Sequence, residues 1–115
     1  MLTSGDVVSL DLGLPTGREA GFARPAVVVT SQDILDESAA IVQVVPLTTT
    51  LRSFGAEVVI EPLASNGLAA QSAVQCHQIR AISVGRVGPR IGNVGAVDLA
   101  MIRETIGVIL DVPRL

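Results

Sequence analysis

Three short stretches concentrate the side chains capable of chemistry: Arg18, Glu19, Phe22 and Arg24; Thr48, Thr49 and Thr50; and Gln75, His77, Gln78 and Arg80. Each arginine carries a planar five-donor fork that suits phosphate or carboxylate. The threonines offer hydroxyl donors. His77 is the only histidine, and so the one side chain whose ordinary titration falls near neutrality. Phe22 offers an aromatic face. Plainer uses exist for all of them, and spacing alone favours those uses. Arg24, fixed by Pro25 at the mouth of a strand, would cap it or pair with Glu19. Threonines at a strand end satisfy backbone groups, a lone histidine on a strand is commonly structural, and Phe22 would pack locally. Other chemistries lack their motifs. There is no Gly-rich phosphate loop, no His or Cys pair at metal-ligand spacing, and no nucleophile elbow near any serine.

The elements that must position these residues are mostly short and Val-rich. Asp6–Leu12 alternates roughly and reads as a strand. Gly13–Arg24 is a loop with three Gly and one Pro, longer than a hairpin needs and so a candidate for function. Pro25–Thr30 and Ala40–Leu47 are continuous apolar runs, read as buried strands, with a helical turn within Ser31–Ser38 between them. Pro25 takes a first-strand position, where a missing N–H is tolerated. Thr48–Gly55 reads as a polar connection, Glu57–Ile60 as a short strand, and Leu63–Gln71 as turns around Asn66-Gly67. Ser72–Ile79 reads as a strand with Cys76 and Gln78 on one face and Gln75, His77 and Ile79 on the other. Arg80–Pro89 reads as a connection and Arg90–Val94 as a further strand. In Val97–Leu110 the period changes: Leu99, Ile102, Ile106, Ile109 and Leu110 form an apolar stripe at helical spacing. Asp98 suits the first turn. The pattern predicts a mainly β fold, a small curled sheet or partial barrel closed by a C-terminal helix.

Length and composition bound the rest. The 115 residues suit one domain, 1–115. At 49% hydrophobic and 17% charged, the chain is not disordered. One Cys and one His cannot make a disulfide framework or a structural zinc site within the chain. No basic-then-apolar leader and no membrane span are apparent, so a cytoplasmic protein is expected. A net charge of −3 argues against nucleic-acid binding through bulk charge. The basic residues are all Arg, however, and the acids avoid residues 63–97, which carry Arg80, Arg86 and Arg90. A local phosphate attraction is therefore open.

In this order, the residues resemble the MazF/PemK family of toxin–antitoxin endoribonucleases. The resemblance runs through Gly5-Asp6-Val7-Val8 with Asp11-Leu12, Gly17-Arg18-Glu19, and Arg24-Pro25-Ala26-Val27-Val28-Val29. It continues through Val45-Pro46-Leu47-Thr48-Thr49-Thr50, Gln78-Ile79-Arg80 and Arg90-Ile91-Gly92. It implies a small SH3-like (CcdB/PemK-like) barrel with a C-terminal helix, a homodimer, and an antitoxin partner with an acidic disordered segment. It also implies metal-independent, cofactor-free cleavage of single-stranded RNA by the ribose 2′-oxygen, leaving 2′,3′-cyclic phosphate and 5′-hydroxyl ends. Arg24 and Thr48 match the family's catalytic Arg and Thr. Glu19 matches an acidic loop residue, as base or as orienter of Arg24. Thr49, Gln78, Arg80 and Arg18 are expected to contact RNA, and Phe22 is an added candidate for stacking on a base.

Three positions depart from the family pattern. His77 stands where many members carry an acid, so it is a candidate for catalysis or for base recognition. The loop reads Gly17-Arg18-Glu19-Ala20 where Gly-Ser-Glu-Gln is common. Val8 replaces an aromatic residue in the first strand. Two rival functions keep the fold: a CcdB-like gyrase-binding toxin, whose aromatic chain end Asp111-Val112-Pro113-Arg114-Leu115 lacks, and an inactive SH3-like interaction module.

Overall fold

Strand-forming runs dominate the computed structural model, which describes residues 1–113; Arg114 and Leu115 of the chain end weighed above lie outside the described residues. The strands are β1 (Asp6–Asp11), β2 (Ala23–Val28), β3 (Ile41–Thr48), β4 (Glu57–Ile60), β5 (Ser72–Gln75), β6 (Arg80–Ser83) and β7 (Arg90–Asn93). Among the described residues they make one sheet in the order β4-β5-β3-β2-β1-β7, with β6 also on β3. Every pairing is antiparallel. A helical turn, α1 (Gln32–Leu35), joins β2 to β3, and a longer helix, α2 (Gly95–Ile109), follows β7. The expected half-barrel with a C-terminal helix is the observed architecture.

Continuous Val runs suit this sheet because both of its faces are covered. Val7, Val27 and Val45 enter a core with Leu47, Ile60, Val74, Leu99 and Ile102. Their chain neighbours Val8, Val28 and Val44 enter a second core with Leu10, Val42 and Ile82. Strand side chains alternate between faces, so two buried faces require apolar residues at successive positions.

β3 bends the sheet. One edge pairs β2 through Val44–Pro46, while the other pairs β6 through Ile41–Val44 and then β5 through Leu47 and Thr48. The connection after β4 closes against β7. Buried Asn66 accepts the Leu63 and Leu68 N–H groups at 3.0 Å each and donates to Glu61 O at 2.9 Å. Gly67 follows with φ +70°, and a Cβ there would come within 2.3 Å of Ile91 O, so no larger residue fits.

Several elements differ from expectation. β2 begins two residues early, so Arg24 lies inside a strand opposite Leu10. Pro25 escapes a ladder conflict because β2 pairs β3 only from Ala26 onward. The strand expected over Ser72–Ile79 stops at Gln75, where Cys76–Gln78 turn as one 3-10 helix. The alternation assigned to His77 and Gln78 therefore fails. Within the expected connection Arg80–Pro89 lies β6, paired to β3. The stripe on α2 buries Leu99 and Ile102 and half-buries Ile106, but Ile109 and Leu110 are exposed. The last turn of α2 leaves its apolar side chains, Val108, Ile109 and Leu110, in solvent.

Candidate active site

Arg24, Thr48 and Gln75 come from three adjacent strands. β2 pairs β3 as far as Ala26 opposite Pro46, and Arg24 and Thr48 each lie two residues beyond that pair. Thr48 in turn pairs Ala73 on β5, two residues from Gln75. The Arg24 guanidinium donates through Nε to Gly21 O at 3.0 Å and through Nη1 to Gln75 Oε1 at 3.4 Å. Gln75 is 3% exposed, so its amide is a fixed anchor. The Gly21 carbonyl is fixed by the turn beside it, where Phe22 adopts φ +60° and donates its N–H to Gly13 O at 2.7 Å. A bulky residue in the left-handed region costs roughly 1–2 kcal/mol. That strain sits two residues before Arg24. Thr48 Oγ1 accepts the Thr50 N–H at 3.1 Å, which leaves the hydroxyl proton free to point elsewhere.

An open groove of ≈ 1100 Å³ lies beside this anchor, lined by Arg18, Glu19, Arg52, Phe54, Glu57, Gln75, His77, Gln78, Ile79 and Arg80. The long loop carrying Arg18 and Glu19 is tied over it by two of the expected RNA contacts. Gln78 accepts the Ala20 N–H and donates to Arg18 O at 3.2 Å, and Arg80 donates to Ala20 O at 3.1 Å. Gln78 thus spends both ends of its amide on shaping the loop. Arg80 spends one donor and keeps the rest. Glu19 Oε1 accepts the Thr16 N–H at 3.1 Å. Arg24 is oriented by Gln75 and Gly21, not by Glu19.

Of the expected site residues, Arg18, Glu19, His77, Gln78 and Arg80 line the groove, and Arg24 reaches it through Gln75. Thr48 sits one strand away from Gln75 and is not among the residues that line the groove. Exposed Thr49 and Phe22 lie outside the lining. The aromatic face in the groove is Phe54, half-exposed and edge-on to His77 with ring centroids 5.1 Å apart. Arg52 and Glu57 are further lining residues that sequence reasoning did not assign. The signal for Phe54 was present, as one of two Phe in the chain and set in a mostly polar connection.

Charge in the groove comes from Arg18, Arg52 and Arg80, with Arg24 beside it, against Glu19 and Glu57. The acid-free stretch does not form one basic patch. Arg86 donates to Asp11 O at 2.9 Å, and Arg90 pairs with buried Asp6 at 2.9 Å. Burial pushes the Asp6 carboxyl up, but the Thr3 N–H, Arg90 and Asn93 together outweigh it and hold it below 3.8. Cys76, fully buried between Gln75 and His77 in the chain, has its thiol pushed up to about 11 by burial, with the Glu57 charge adding to the effect. It is no nucleophile at neutral pH. Among the described residues, no helix is long and apolar enough to cross a membrane.

Comparison with known proteins bears on the fold and the family. A family model described as PemK-like, MazF-like toxin of type II toxin-antitoxin system matches residues 3–110. The chain is 33% identical over 116 residues to Endoribonuclease MazF9 of Mycobacterium tuberculosis (strain ATCC 25618 / H37Rv), covering 96% of this chain and 98% of that protein. It is 32% identical over 95 residues to Probable endoribonuclease MazF5 of the same strain, covering 83% of this chain and 86% of that protein. The solved structure of Mycobacterium tuberculosis toxin MazF-mt6 superposes with a TM-score of 0.75 at 28% identity, over 95% of this chain and 99% of that one. A structure described as an endoribonuclease in complex with its cognate antitoxin from Mycobacterial species shares the fold, with a TM-score of 0.79 at 23% identity over 100% of both chains. The chain belongs to the PemK-like, MazF-like toxin family of type II toxin–antitoxin systems.

Proposed function

We propose that this chain, as one domain spanning 1–115, is the toxin of a type II toxin–antitoxin pair and a sequence-specific endoribonuclease of single-stranded RNA. The observation that carries the reading is the Arg24 guanidinium, anchored by Gln75 and Gly21 beside an open, Arg-rimmed groove. In the reaction the 2′-oxygen attacks the adjacent phosphorus. The P–O2′ bond forms, the P–O5′ bond breaks, and a 2′,3′-cyclic phosphate and a 5′-hydroxyl result. Arg24 directs its uncommitted donors at the charge building on the phosphoryl oxygens. Thr48 donates its hydroxyl proton to the same phosphate. Glu19 takes the 2′ proton, and His77 on the same rim is the second proton-transfer group, returning a proton to the leaving 5′-oxygen. Arg18 and Arg80 hold flanking phosphates, with Thr49 and Phe22 as outer contacts.

These roles need no metal ion or cofactor, and cleavage is expected to persist in EDTA. The same basic rim suits an antitoxin whose acidic, disordered segment folds on binding. A homodimer working in the cytoplasm completes the reading. The gyrase-binding and inactive-module alternatives are not favoured, because both leave the Arg24 anchor without a purpose. The test incubates purified protein with a long RNA in EDTA and maps fragment ends. Cyclic-phosphate and 5′-hydroxyl ends at a recurring short sequence support the proposal; intact RNA at every enzyme concentration overturns it.

A further inference from the structure

Glu57 holds the one buried side-chain oxygen or nitrogen left without a hydrogen-bond partner among the described residues, its Oε1. The side chain is 3% exposed, and Oε2 meets the Arg52 guanidinium at 3.4 Å. An unpaired buried carboxylate oxygen is costly, and native structures that keep such an atom have a specific reason for it. The surroundings supply one. Glu57 faces Gln75 across β4 and β5, and Gln75 anchors Arg24. The residue with the unpaired oxygen therefore lies one strand from the residue that anchors Arg24.

Arg52 is the ion-pair partner of Glu57 among the described residues, and its own side chain is 52% exposed. The contact is single and 3.4 Å long, and its arginine end is half-exposed and so screened by solvent. An RNA phosphate competes well for the same guanidinium, since it accepts the fork with two bonds. When Arg52 turns to a phosphate, Glu57 is left facing the groove as a pure acceptor. Phe54, two residues along the chain from Arg52, gives the groove a face on which a base can stack. Unpaired cytosine, adenine and guanine each present an amino group on the Watson–Crick edge. Uracil presents one N–H between two carbonyl oxygens, and those oxygens repel a carboxylate.

We infer that Glu57 is a specificity-determining residue, whose carboxylate accepts a hydrogen bond from the amino group of one unpaired cytosine, adenine or guanine and disfavours uracil there. This rests on the RNA-cleavage reading, and the test keeps the two apart. Wild type and Glu57→Gln are profiled on an RNA pool randomised around the cut. In parallel, their binding is measured to oligonucleotides blocked by a 2′-deoxy substitution at the cut. Wild type is expected to disfavour uracil at one position by about tenfold. Glu57→Gln, whose amide can donate to a uracil carbonyl, is expected to lose that preference and leave the other positions unchanged. An unaltered profile in Glu57→Gln overturns the inference. If wild type binds with the preference but cuts nothing, the nuclease reading falls and the Glu57 role stands; if it binds no oligonucleotide, both fall. Should Glu57→Gln fail to fold, Arg52→Ala carries the test. Freeing Glu57 must sharpen the discrimination against uracil, and unchanged discrimination overturns the inference.

Discussion

Replacing Gln75 by leucine removes the acceptor that fixes Arg24 while keeping a buried side chain of similar size. Hydrogen bonds to charged groups contribute about 1.5–3 kcal/mol. The Arg24–Gln75 bond is long at 3.4 Å, with Gly21 O holding the other side of the guanidinium at 3.0 Å. The low end, about 1.5 kcal/mol, therefore applies, which is roughly tenfold in kcat/KM. Arg24→Ala removes the donor fork itself and should cost about 10²–10³-fold. Because Gln75 acts through Arg24, the two losses must not add: the double variant should be no slower than Arg24→Ala alone. Single-turnover cleavage of a fluorogenic RNA by the four proteins closes this cycle, with thermal melts to confirm folding. A further tenfold loss from Gln75→Leu in the Arg24→Ala background would refute the positioning role. So would a wild-type rate for Gln75→Leu alone.

Further outcomes follow from the charged and titrating groups. Asp6 is held below its ordinary value of 3.8 by partners that outweigh its burial, so its contribution to stability is full above about pH 3.8 and is lost as pH falls through the lower folded-state value. Arg90→Ala raises that folded-state value, and acid titration by circular dichroism should show unfolding begin at higher pH. The Cys76 thiol, buried and pushed up to about 11, should resist a thiol reagent at pH 7.5 in the native protein and react fully in denaturant. His77→Asn should slow single-turnover cleavage by about 10²-fold or more; a wild-type rate would remove His77 from proton transfer.

The sheet was readable because burial on both faces writes itself as unbroken Val runs, as in Pro25–Thr30 and Ala40–Leu47. Glu57–Ile60 and the helix start near Asp98 were equally plain. β6 was hidden because Arg80–Ser83 earns its strand by pairing with the first half of β3, a distant partner with no local signature. The 3-10 turn at Cys76–Gln78 was hidden by an alternation that ran on past Gln75. The site was half legible. The loop arginines and the 75–80 stretch do share one groove. Arg52, Phe54 and Glu57 were missed because they lie on a connection read only as polar and on the first residue of a short strand. What brings them to the groove is the β4–β5 register, and the linear chain does not display it.

The most direct measurement compares wild type with Arg24→Ala on one RNA in EDTA, with fragment ends identified. The account predicts that wild type yields 2′,3′-cyclic phosphate and 5′-hydroxyl ends and that Arg24→Ala, folded to the same melting temperature, is at least about a hundredfold slower. Equal rates, or fragments ending in 3′-hydroxyl and 5′-phosphate, would contradict it.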